Sequence, residues 1–399
     1  MKILLLGEYS NVHATLAKGL RTLGHEVTVA SNGDFWKNYP RDIDLARNQS
    51  RGLLGKLDGI RLFLRVLTLL PKWRGYDVVQ LINPMFLELK AERILPIYKY
   101  LRRHNKKIVL CAFGMDYYWV NECVTRMPLR YSDFNIGEEL RTDEEALKER
   151  RDWIGTAKED LNKYIAQNCD AIVTGLYEYH VCYEPHFPQK TKFIPFPIES
   201  GESLSPALPS REGVWAESQE SREPLPSPPL KGGSLSGEAK VPTVFVGVSK
   251  GRSAYKGTDI MLKAAEDIKA KYPDRMKLEV ASGVPFSEYS TMLNRADIIL
   301  DQLYSYTPAM NALEAMARGT IVVGGGEQEN YIILGEDELR PIVNVLPTYD
   351  SVYHELEQLV THPERIAQLK RQSIEYIHKH HDFISVAKQY IDLYSEPNI

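Results

Sequence analysis

The chain has 399 residues, 43% hydrophobic and 26% charged, a globular composition on a length that exceeds one ordinary core and implies two domains. A formal net charge of −4 provides no general basic field, so nucleic acid is not an expected partner. The four cysteines, Cys111, Cys123, Cys169 and Cys182, show no CxxC pair and read as reduced thiols.

Short apolar runs at 2–6, 26–30, 78–82, 108–113, 171–174 and 193–196 read as buried parallel strands. Between the first two, Val12, Leu16, Leu20 and Leu23 share one helical face, which closes at Gly24, a typical C-cap residue. Residues 51–74 carry Lys56, Arg61, Arg65, Lys72 and Trp73 amid Leu, Ile, Phe and Val. Such a helix suits peripheral contact with an anionic membrane. The other reading is a crossover helix packed on the sheet with its cations outward.

Residues 199–240 are rich in Ser, Pro, Gly and Glu, too polar to offset the entropy of ordering, and predict a disordered interdomain insertion. Further strands are expected at 243–248, 278–281, 297–300, 320–323 and 342–345, with a helix after Gly257. This alternation predicts two doubly wound α/β domains, 1–198 and 241–380. A last helix in 381–399 has the first domain as its candidate packing surface. No apolar run reaches the length of a membrane span, and the start lacks an export pattern, so a cytoplasmic location is expected.

Three loops carry candidate chemistry. The first βα turn, Gly7 to His13, has a single glycine where a dinucleotide-binding turn needs GxGxxG, which argues against a nicotinamide enzyme. It still faces the crevice at the strand carboxyl ends. There Ser10, Asn11 and His13 are candidates to contact an acceptor; the other reading is a plain strand-to-helix turn capped by Ser10 or Asn11. After 243–248 comes a loop with Lys250, Arg252, Lys256 and Gly257, whose cations and following helix suit a diphosphate; a solvated basic loop is the alternative. After 297–300, Thr307 reads as an N-cap and Pro308 as the first residue of a helix that contains Glu314. A carboxylate in so apolar a helix must be paired or hydrogen-bonded.

These loops, taken together, resemble the GT-B glycosyltransferases, specifically retaining family 4. That family carries two Glu separated by seven residues, the second within Leu-Glu-Ala-Met-Ala-x-Gly, and 313–317 with Gly319 match it closely. The resemblance implies two Rossmann-like domains facing a central cleft. It also implies a nucleotide-diphosphate-sugar donor held by Lys250, Arg252, Lys256, Gly257, Ala309, Met310, Asn311 and Glu314, with no metal and no cofactor. Glu314 would bond the donor ribose. The first Glu falls at Tyr306, and Phe113-Gly114-Met115-Asp116 stands where relatives have His-Gly-x-Asp. Asp116, Tyr306 and Glu314 are therefore the catalytic candidates. The expected function is retaining sugar transfer to a glycan or lipid-linked acceptor in polysaccharide synthesis. An inactive nucleotide-sugar-binding protein and an epimerase of the same fold are the alternatives.

Overall fold

The computed structural model describes residues 1–48, 52–199, 241–248, 251 and 253–397. The first sheet contains β1 (Lys2–Leu6), β2 (Glu26–Ser31), β3 (Ile43–Asp44), β4 (Val78–Leu81) and β5 (Lys107–Cys111). A short hairpin, β6 (Asn135–Ile136) and β7 (Glu139–Leu140), stands apart, and β8 (Ala171–Thr174) and β9 (Thr191–Phe193) complete the sheet. Its order is β3-β2-β1-β4-β5-β8-β9, and its pairings are parallel. β1 reads KILLL because both of its edges are paired and both faces are covered by helices, leaving Ile3 to Leu6 fully buried. The run expected at 193–196 keeps its register as far as Phe193, with one further bond from Ile194 N to the Thr174 carbonyl at 3.0 Å. Pro195 and Pro197 have no N–H to give a ladder.

The second sheet is also parallel, in the order β11-β10-β12-β13-β14: β10 (Thr243–Val248), β11 (Lys277–Ser282), β12 (Ile298–Leu300), β13 (Ile321–Gly324) and β14 (Val343–Asn344). In each sheet the strand order reverses once near the middle, between β1 and β4 and between β10 and β12. A crevice opens at the carboxyl ends there.

The helix Phe383–Ser395 packs on Val12–Thr22 of the first domain. Gly19 permits the contact, since a Cβ there would stand 2.5 Å from the Phe383 carbonyl oxygen. Lys107 Nζ, buried at the edge of this contact, donates to the carbonyls of Leu393, Tyr394 and Glu396 at the helix's open end. Of the expected insertion, 200–240 lies outside the described residues, while Glu199 pairs with Lys18.

The seam between the domains is polar, buried around Glu178 and open to solvent at Arg130. The carboxylate of Glu178, on the helix Tyr177–Tyr183, accepts from Ser305 Oγ at 2.8 Å, Tyr306 N at 2.7 Å, Thr307 N at 3.0 Å and Thr307 Oγ1 at 2.6 Å. Arg130 reaches across to Glu327 and Glu329 at 2.7 and 2.6 Å.

Candidate active site

The two crevices face each other and form one cleft. On the second-domain side lies a cavity of about 730 Å³ lined by Lys256, Tyr289, Asp301, Asn311, Glu314 and Arg318, with Ser10, Lys37 and Tyr39 closing it from the first domain. On the first-domain side lies one of about 750 Å³ whose walls include Glu8, Asp34, Asn83, Glu88 and Trp119. Ser10, Lys37, Ala309 and Met310 line both.

The helix Met310–Ala317 begins at the junction of the two cavities. Ala309 is its N-cap, with no side chain bonded to the first turn, so the leading N–H groups are left for a ligand. Thr307 and Pro308 do not start this helix, as the sequence pattern predicted. The Thr307 hydroxyl and N–H are both given to Glu178, which pulls the residue out of the capping position. Lys256 ends the short helix Ser253–Lys256, and its charge acts on Asp301, whose carboxyl is raised by burial and lowered in part by Lys256. Gly257 lies behind the wall rather than on it. Its φ of 72° and a virtual Cβ 2.8 Å from Leu303 leave room for no other residue. Lys250 and Arg252 lie outside the described residues.

Glu314 is pushed above the usual carboxylate range by burial, against the charges of Arg318 and Lys37 and a hydrogen bond from Asn11. Ser10 gives its N–H to Asp34 Oδ2 at 2.9 Å and its hydroxyl accepts from Lys37 Nζ at 3.1 Å, while Lys37 also pairs with Asp34 at 2.7 Å.

The sequence profile described as glycosyl transferase-like matches residues 251–392. Among solved structures, the Anabaena protein HepE in complex with UDP and glucose superposes with a TM-score of 0.56 at 11% identity, over 99% of each chain. Sucrose-phosphate synthase from Thermosynechococcus elongatus gives 0.54 at 12% identity, over 99% of this chain and 98% of that one. A putative UDP-N-acetylglucosamine 2-epimerase from Listeria monocytogenes gives 0.52 at 9% identity, over 98% and 95%. No curated protein matches the sequence.

The chain has the GT-B glycosyltransferase fold.

Asp116, His13 and Tyr306, like Asn11 and Gly257, are not on the walls of the GT-B cleft. Asp116 is fully buried: Oδ1 accepts from Trp119 N at 2.9 Å, capping the helix Tyr117–Thr125, and Oδ2 accepts from the Tyr183 hydroxyl at 2.7 Å. Burial raises its pKa to about 6, and its neighbours Phe113, Gly114 and Met115 line the cavity in its place. His13 is also fully buried, with Nδ1 2.8 Å from the Gly7 carbonyl and Nε2 3.1 Å from Gln80 Nε2; burial lowers its pKa to about 4. Tyr306 lies in the seam, 1% exposed, its hydroxyl accepting from Arg130 N at 2.6 Å and its ring beneath the Arg130 guanidinium. Sequence reasoning missed Lys37, Tyr39, Asp301, Tyr289 and Arg318 on the cavity wall. Arg318 lies inside the very motif that marked Glu314, whereas Lys37 and Tyr39 come from an irregular stretch with no period to flag it.

Proposed function

We propose that the protein transfers a sugar from a nucleotide-diphosphate donor to a glycan or lipid-linked acceptor in polysaccharide biosynthesis, with retention at the anomeric carbon. The observation that carries this reading is the grouping of Lys256, the uncapped first turn at Met310 and Glu314 in a single cavity. The first two suit a diphosphate, and a carboxylate about one turn further along the helix suits ribose hydroxyls. Lys256, together with Lys250 and Arg252 of the same loop, would take up the leaving charge without a metal. In the transfer step the bond from the anomeric carbon to the diphosphate oxygen breaks as the acceptor oxygen bonds to the same face. The acceptor proton passes to the departing phosphate oxygen.

The fold likeness to an epimerase keeps a second reading in view: a 2-epimerase also acts on a nucleotide sugar. Release of nucleoside diphosphate from a donor panel, with and without glycan and lipid-linked acceptors and with chelator, distinguishes them. Acceptor-dependent release supports transfer. Release without acceptor incorporation, or none from donors that bind, refutes it. Activity lost to chelator refutes only the metal-free step.

A further inference from the structure

The helix Gly52–Leu69 is covered on one side only. Gly55, Gly59, Leu62 and Val66 face the first domain and are buried. Arg47 lies against the helix beside Gly59, and its guanidinium donates to the Gly55 carbonyl. On the opposite side Leu53, Leu57, Ile60, Leu64 and Leu67 are 74, 56, 43, 56 and 41% exposed. Spaced by three, four and seven residues, they form one outward ridge. With Leu54, they make up six of the thirteen exposed large hydrophobic side chains among the described residues. Scattered single exposures are ordinary on a soluble surface, whereas a continuous ridge marks a contact.

The charges around the ridge indicate what it contacts. At 100° per residue, Lys56 flanks the ridge on one side and Arg61 and Arg65 on the other. Asp58 is the helix's one acid; it turns inward, 12% exposed, and pairs with Arg61 at 3.5 Å. An apolar ridge with Lys56 on one side and Arg61 and Arg65 on the other fits an anionic lipid surface, with the leucines at the acyl boundary and the cations among phosphates. No helix among the described residues is long and apolar enough to cross a membrane, and this one has a buried face, so it would lie in the membrane plane. Trp73, which the sequence pattern offered as an interface anchor, is fully buried and takes no part.

We propose that Gly52–Leu69 docks the protein on an anionic bilayer. Arg47 also donates to the Glu88 carbonyl at 3.4 Å, and Glu88 lines the first-domain cavity, so docking holds that cavity beside the lipid. Docking stands independently of sugar transfer.

The test is flotation of the full chain with vesicles of equal parts phosphatidylglycerol and phosphatidylcholine, against phosphatidylcholine alone. The wild type should float with the anionic vesicles and be released by high salt. Arg61→Glu with Arg65→Glu should weaken partitioning at least ~25-fold, about fivefold for each cation lost. Ile60→Ser with Leu64→Ser should weaken it at least about tenfold. Ile60 and Leu64 lie on the exposed face, so the melting temperature of that variant should hold; Arg61→Glu removes the partner of Asp58, so its pair should melt somewhat lower yet stay folded. Failure of the folded wild type to float, or unchanged flotation of both folded variants, overturns the proposal. So does a concentration-dependent dimer that Ile60→Ser with Leu64→Ser abolishes in a protein that never binds vesicles, since the ridge would then cover a second copy.

Discussion

Replacing Glu314 by Gln should separate affinity from stability. Gln keeps the shape and one acceptor oxygen but loses the charge. A hydrogen bond to a charged group contributes roughly 1.5–3 kcal/mol, so affinity for the nucleoside diphosphate should fall ~10- to 150-fold. Stability should move the other way. Burial holds the folded Glu314 above its ordinary 4.5, so the stability it lends is complete below about that value and lost as pH rises through the folded value. At neutral pH the buried charge is a liability, and the variant should melt no lower than wild type. Ligand affinity of the wild type should rise with pH as the carboxylate ionises, and that rise should vanish in the variant. Titration calorimetry of the nucleoside diphosphate and the bare nucleoside, with thermal melts over the same pH series, reads both. Unchanged affinity for the nucleoside, or a loss accompanied by a lower melting temperature, refutes the ribose role.

Lys256→Ala should weaken the nucleoside diphosphate by a similar factor, roughly 10-fold or more, yet leave the bare nucleoside untouched; equal losses for both ligands in calorimetry would remove Lys256 from the phosphate. Glu178→Ala strands four donors in the buried seam and should cost at least ~3 kcal/mol, read as a lower denaturant midpoint, and an unshifted midpoint would show that the seam is not structural. Tyr306→Phe removes one hydrogen bond from the seam, about 1 kcal/mol, and should leave turnover within a fewfold of wild type. A large turnover loss with full stability would instead place that hydroxyl against the transferred sugar.

The two sheets were legible because parallel strands buried on both faces leave continuous apolar runs, as KILLL and the TVFVGV of β10 do. Glu314 was legible because a carboxylate in the helix MNALEAMA has few bland explanations. Three placements were not legible. Asp116 and Tyr306 belong to loops near the cleft whose residues point to different sides, and His13 lies in the first turn of the helix Val12–Thr22 on its buried face; sequence does not say which way each turns. Gly114 and Met115 face the cavity while Asp116 turns back to cap a helix. Thr307 looked like an N-cap because its neighbours allow one. Only the distant Glu178 decides otherwise, from 129 positions away.

The backbone around the first-domain rim carries a related message. Ser10, Asn11, Asp34, Phe35 and Asn38 all have positive φ, five of the six non-glycine residues that do so among those described. Such conformations cost on the order of 1–2 kcal/mol each, less for Asn and Asp, and persist only where surrounding bonds impose them. Here the imposing bonds are those among Ser10, Asp34 and Lys37. They hold Ser10 and Lys37 where both cavities meet. Strained backbone at that junction fixes two side chains that both cavities share, so the two halves of the cleft are set against each other by one network.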